Sequence, residues 1–226
     1  MLGNIKIRVE EKVYLKDPEN TELGRKIVRD GILLIDELGL EAFTFKKLAE
    51  RINSTEATLY RYFLSKHMLL IYLISWYWNW LEYRLIFSTN NIVSPEERLK
   101  IAIQILIGSL NSDIYFEHID KDALQRIVVS ESAKAFLNKE VDENNKEGFF
   151  FSYKRICKRI ADIILEINPN YKYPASLVST ISESAHYQKF FAQHLPSLTN
   201  LGKGKNFSEH KLVDFLTDLT FKSIAR

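Results

Sequence analysis

The sequence predicts an all-α protein, and three observations lead there. Apolar residues recur at three- and four-residue spacing through nearly every stretch. Capping residues bracket those stretches, with Ser, Thr or Asn ahead and Gly, Asn or Pro behind. After Ser88 no alternating strand pattern of any length occurs.

Residues 1–20 read as an arm rather than a helix. Ile5, Ile7 and Val9 alternate with Lys6 and Arg8, and Asp17-Pro18 ends local order. The expectation is a short strand or ordered tail packed on the body. A basic arm reaching DNA is the sharper alternative.

The first helix is expected over 21–38, capped by Asn20 or Thr21 and stopped by Gly39. Leu23, Ile27, Leu34 and Leu38 make its apolar stripe. Thr44 caps a second helix with the stripe Phe45, Leu48, Ala49 and Ile52. Asn53 stands where a residue of positive φ must end it. Thr55 then begins a third helix, pinned by Leu59 and Phe63, and Ser65 caps a long fourth one reaching about residue 87. Two short helices about a polar break at Asn53-Ser54-Thr55 are the layout of a DNA-binding helix-turn-helix, with its motif at 43–62.

The rest continues in helices. Ser94-Pro95-Glu96-Glu97 is a strong start, for a helix expected to end near residue 112. A weaker pair is expected over 121–129 and 132–141, and a further helix over 146–167, ended by Asn168-Pro169. The last two cover 175–194 and 208–225, joined by a surface loop around Gly202 and Gly204. The expected domains are an arm at 1–20, a three-helix DNA-binding domain at 21–68, and a larger helical regulatory and dimerisation domain at 69–226.

Bulk properties bound the function. With 46% apolar residues and a net charge of +2, the chain is not globally basic, so any nucleic-acid surface is local. Residues 42–70 supply one: Lys46, Lys47, Arg51, Arg61 and Lys66 face Glu50 and Glu56, a net +3. The apolar run 68–81 is shorter than the roughly 20 residues that span a bilayer. With no apolar signal core at the N-terminus either, a cytoplasmic protein is expected.

The lone Cys157 excludes an intrachain disulfide. It reads as core filler, or as a sensor thiol activated by Lys154, Arg155, Lys158 and Arg159. His186, His194 and His210 do not cluster, so no metal site is expected. No Gly-rich phosphate loop or nucleophile motif points to an enzyme, and no cofactor is implied.

The run EAFTFKKLAERINSTEATLYRYFLSK resembles the DNA-binding domain of TetR-type bacterial transcriptional repressors. The resemblance lies in Gly39, Thr44, Leu48-Ala49, Thr58-Leu59-Tyr60, Tyr62-Phe63 and Ser65-Lys66, and covers 21–70, about a fifth of the chain. Asn53, Ser54, Glu56 and His67-Met68 depart from the family pattern. The remainder matches only in kind, as an all-helical regulatory domain.

Contacts of two kinds are expected. Thr55, Glu56, Ala57, Thr58 and Arg61 are the base-reading candidates, at the part of the helix that enters the major groove. Lys46, Lys47, Tyr60, Tyr62 and Lys66 are the phosphate candidates. One module reads few base pairs, so a homodimer on a palindromic operator is expected. The resemblance implies that it forms through 175–194 and 208–225. It also implies a ligand-responsive repressor whose small-molecule effector has no readable identity. Trp76, Trp80, Tyr83, Phe150, Tyr187 and Phe190 are the candidate pocket walls. The competing reading is a helical sensor or interaction protein whose degenerate helix-turn-helix no longer binds DNA.

Overall fold

The computed structural model describes residues 6–109 and 116–225; Ile5 at the start of the arm and residues 110–112 of the expected fifth helix lie outside them. Ten α-helices run through the described residues, in order α1 (Glu22–Ala42), α2 (Phe45–Ile52), α3 (Glu56–Tyr60), α4 (Lys66–Thr89) and α5 (Pro95–Ile107). They continue as α6 (Lys121–Phe136), α7 (Val141–Lys146), α8 (Phe151–Ile167), α9 (Pro174–His194) and α10 (Glu209–Ile224). No strand occurs among the described residues, so the chain is all-α. It divides into two compact units, one of residues 6–80 and 116–152, the other of 81–109 and 153–225.

In the first unit α1 begins where Thr21 accepts a bond from the Gly24 amide at 3.0 Å. Its buried stripe of Ile27, Val28, Ile32 and Ile35 is the floor on which α2 and α6 pack. The expected stop at Gly39 is instead a break, with φ 72 and ψ 159, followed by one more turn to Ala42. That break frees backbone groups, and residues distant in sequence take them up. The Leu40 amide donates to the Glu131 carboxylate of α6 at 3.2 Å. Arg126 on the same helix pairs with Asp36 at 2.7 Å.

The two weak helices expected over 121–141 are one helix and a separate short turn. The stretch Ser130-Glu131-Ser132 holds no breaker. Ser130 bonds back to the Arg126 carbonyl at 2.9 Å, and Glu131 is buried against α1, so α6 runs through.

The arm is ordered on the body. Its alternation buries Ile7 and Val9 without forming a strand, and Val13 follows in a single 3-10 turn. Pro18 lies directly on Gly24, where a Cβ would sit 2.3 Å from the Pro18 carbonyl oxygen. Only glycine admits the arm so close.

Helix α4 is buried around its whole circumference from Leu69 to Leu85, Tyr83 alone excepted. No helix among the described residues is long and apolar enough to cross a membrane.

In the second unit, Ser94 caps α5 through the Glu97 amide at 3.1 Å, and Gly108 (φ 82) ends it at Ile107, short of the expectation. Helix α8 starts at Phe151 rather than residue 146, because Gly148 (φ 87) breaks the chain there. Buried Glu82 accepts from Arg155 and Arg159 of α8, both at 2.5 Å. Leu177, Val178, Ile181 and Ala185 of α9, with Leu212, Leu216 and Ile224 of α10, are buried in the chain's own core. The large apolar side chains that α9 and α10 leave exposed are Tyr187 and Phe215, at 51% and 44%.

Burial pushes the Cys157 thiol up to about 11, with the Glu183 carboxylate adding to the rise and a hydrogen bond with Tyr153 opposing it, the reverse of an activated sensor. Three of the cations beside it in sequence are paired with carboxylates. Lys158 pairs with Asp162 at 2.8 Å, and Arg155 and Arg159 with Glu82.

His186, buried on α9, is pushed down to about 4, chiefly by burial and further by the Lys189 charge. The unfolded chain takes up this proton near the ordinary value of about 6.5, while the folded chain resists it. The neutral imidazole's stabilisation is therefore whole above pH 6.5 and lost as pH falls toward 4. Between pH 7 and pH 5 the expected loss is about 2 kcal/mol. Urea unfolding at the two pH values measures it, and His186→Phe is expected to remove most of the difference.

Candidate nucleic-acid interface

The interface starts from how α2 ends. Asn53 adopts the left-handed conformation (φ 55, ψ 57), as its position requires, and its amide turns back to the carbonyls of Ala49 and Glu50. The Ser54 amide bonds the Ala49 carbonyl at 2.8 Å, and Lys26 of α1 donates to the Ile52 carbonyl at 2.9 Å. The carbonyls of Ala49, Glu50 and Ile52 at this helix end thereby each find a donor. Three residues later Thr55 caps α3 through the Thr58 amide at 3.3 Å.

Helix α3 turns its inner side into the core through Leu59, with Phe63 just beyond, both fully buried. Its outer side is in solvent: Thr55, Glu56, Ala57, Tyr60 and Arg61 are exposed, and Thr58 is half-buried with its hydroxyl 3.0 Å from that of Thr55. Tyr60 lays one edge on Phe45 at 5.0 Å and keeps about half its surface outside. The base-reading candidates are thus all at least partly accessible.

The phosphate candidates divide. Lys46 is exposed and makes no ion pair among the described residues, and Arg61 likewise. Lys47 is exposed but donates to the Ala42 carbonyl at 2.7 Å. Two candidates stand differently from the sequence reading. Tyr62, expected on the outside, is only 3% exposed, and its hydroxyl lies 2.8 Å from Thr21 Oγ1. Lys66 turns inward, its ammonium donating to the carbonyls of Leu40, Glu41 and Phe43 at 2.9, 3.1 and 3.2 Å. Its three donors satisfy the end of α1, which local sequence did not reveal because the acceptors lie more than twenty residues away.

Arg51, counted among the local cations, grips Glu37 with both terminal nitrogens, at 2.7 and 2.9 Å, and holds that carboxyl below its usual range. The free positive charge of the face is therefore smaller than the count of basic residues suggests. The sequence offered an arm packed on the body or reaching DNA, but not the contact that sets it beside α3. The Leu15 amide bonds the Tyr62 carbonyl at 2.8 Å, and Lys16 lies over the Tyr62 ring. No local pattern announces such a main-chain contact.

The aromatic candidates for a pocket are dispersed between the two units. In the first, Trp76 and Trp80 are buried and stacked at 6.2 Å, and Phe150 packs edge-on against Phe136 at 5.0 Å. These contacts are core packing. In the second, Tyr83 stacks on Phe87 at 6.2 Å, Tyr187 is exposed, and Phe190 lies 4.7 Å from His194.

Residues 27–73 match the family of bacterial regulatory proteins known as the tetR family, a segment from the middle of α1 to the first turns of α4. No curated protein matches the chain by sequence. Three solved structures share its fold. AibR in complex with isovaleryl coenzyme A and operator DNA superposes with a TM-score of 0.59 at 13% identity, over 86% of this chain and 97% of its own. The fatty acid degradation regulator FadR of Bacillus halodurans gives 0.61 at 16%, over 86% and 92%. The ketosteroid transcriptional regulator KstR2 of Mycobacterium tuberculosis gives 0.57 at 15%, over 90% and 95%. The matching family and these neighbours are regulators of transcription, and the chain has their fold.

Removing the Lys66 ammonium leaves three carbonyls without their charged donor. Lys66→Ala is expected to lower unfolding stability by about 1–3 kcal/mol, read from the urea midpoint. An unchanged midpoint would mean that the lysine is idle in folding.

Proposed function

We propose that this chain, which carries a tetR-family DNA-binding domain, is a ligand-responsive transcriptional repressor acting as a homodimer on a palindromic operator. The observation that carries the reading is α3: buried on one side by Leu59, solvent-facing on the other through Thr55, Glu56, Ala57, Tyr60 and Arg61. A helix held in this way by the turn before it enters a major groove with its N-terminal residues toward the bases. Glu56 is suited to accept from a cytosine amino group, and Arg61 to serve a guanine or a phosphate. Lys46 supplies a phosphate contact without sequence information.

Dimerisation through α9 and α10 is supported by the aromatic side chains those helices leave outside, Tyr187 and Phe215. An effector works only if it binds one DNA-competent geometry and another geometry with different affinity. Isovaleryl coenzyme A, present in the AibR complex, is a first compound to try.

The second reading, a regulator-like protein that no longer binds DNA, draws on the internal engagement of Lys47, Arg51 and Lys66 and on Glu56 facing outward. Selection of bound sites from a randomised duplex pool separates the two. A palindromic consensus is expected. Recovery of no site above background at low salt would favour the second reading.

Given a consensus, Lys46→Ala is expected to weaken operator and random duplex alike, with a slope of log K against log salt about one unit shallower per bound subunit. Glu56→Ala should instead change the preferred base at one position in each half-site, by about 1–3 kcal/mol. Phe215→Glu is expected to shift the sedimenting species from dimer to monomer. A monomeric wild type at micromolar concentration would remove the palindrome argument.

A further inference from the structure

Resting on the DNA-binding reading, we infer that the N-terminal arm supplies a DNA-backbone contact of its own through Lys16, beside the end of α3. The arm is fixed there by a main-chain bond, Leu15 amide to Tyr62 carbonyl at 2.8 Å, immediately after the recognition helix. It is fixed again at Pro18, which rests on Gly24. Between these two points Lys16 is exposed, its ammonium 5.1 Å from the centroid of the Tyr62 ring.

A cation over an aromatic face is oriented but not neutralised. No carboxylate among the described residues takes the Lys16 charge. Its neighbour Asp17 is engaged elsewhere, accepting from Lys6 at 2.9 Å and from the Glu19 amide at 2.9 Å. The Glu19 carboxylate in turn meets Tyr72 at 3.2 Å and His118 at 2.8 Å. Asp17 and Glu19, the acids nearest Lys16 in the chain, are thus engaged while the lysine faces out.

The end of α3 otherwise lacks what the sequence promised for it. Tyr62 is buried and Lys66 donates to carbonyls, so neither offers a free donor to a phosphate. Lys16 stands over the ring of Tyr62 and carries the charge that the buried hydroxyl does not. The arm's part is positioning, with no base read: a loss at Lys16 weakens every sequence equally.

The test is a fluorescence-anisotropy titration of the full chain on a random-sequence duplex across salt from about 50 to 200 mM. Lys16→Ala is expected to bind several-fold more weakly at the lowest salt. Its slope of log K against log salt should be shallower by about one unit per bound subunit. Lys16→Arg should restore both. Lys139→Ala, an exposed lysine between α6 and α7, should leave both unchanged. The melting midpoint of Lys16→Ala should equal that of the wild type, because the Leu15–Tyr62 bond is main-chain. A wild-type slope in Lys16→Ala, on a duplex that the wild type binds, overturns the inference. So does a weakened variant whose melting midpoint falls with it. A wild type that binds no duplex at the lowest salt instead removes the DNA-binding reading itself.

Discussion

The exposed face of α3 depends on how a broken helix is repaired. At Gly39 α1 leaves helical geometry, and the turn that follows exposes an amide and several carbonyls. Buried backbone groups without partners cost about 1–3 kcal/mol each, so such a break persists only where partners are supplied. Glu131 takes the Leu40 amide, Lys66 the carbonyls of Leu40, Glu41 and Phe43, and Lys47 that of Ala42. The three donors and acceptors come from α6, α4 and α2. Their agreement sets the direction in which the chain leaves α1, and hence where α2 and α3 stand.

Much of this was legible in the sequence, and the legible part is local. Thr21, Thr44, Thr55, Ser65, Ser94 and Ser208 cap the helices they precede, because a cap needs only an oxygen and an amide three residues on. Asn53 was readable for the same reason, since the left-handed region selects few residues. Leu59 and Phe63 followed from helical spacing alone.

The rest depended on partners distant in the chain. Tyr62 and Lys66 look like surface donors until Thr21 and the end of α1 are brought beside them. Residues 121–141 looked like two helices because Glu131 appears polar. Its carboxylate is buried on an amide 91 residues away, which is invisible to any periodic pattern. Helical spacing likewise does not say which apolar residues of α9 and α10 the chain's own core takes, and Tyr187 and Phe215 are among those it leaves exposed. A count of basic residues misleads here too, since Arg51 and Lys66 hold the domain together and leave less charge for a partner.

The bond between the Leu15 amide and the Tyr62 carbonyl has an evolutionary consequence. Main-chain groups are indifferent to side-chain identity, proline excepted. Substitution at residues 14–16 can therefore raise or lower the charge beside α3 while the attachment stays in place. The candidates for base reading sit on a separate helix and need not change with it. If the chain binds DNA as proposed, strength of attachment and choice of target can drift as independent traits, so that a lineage retunes how tightly it holds its sites without relearning which ones they are.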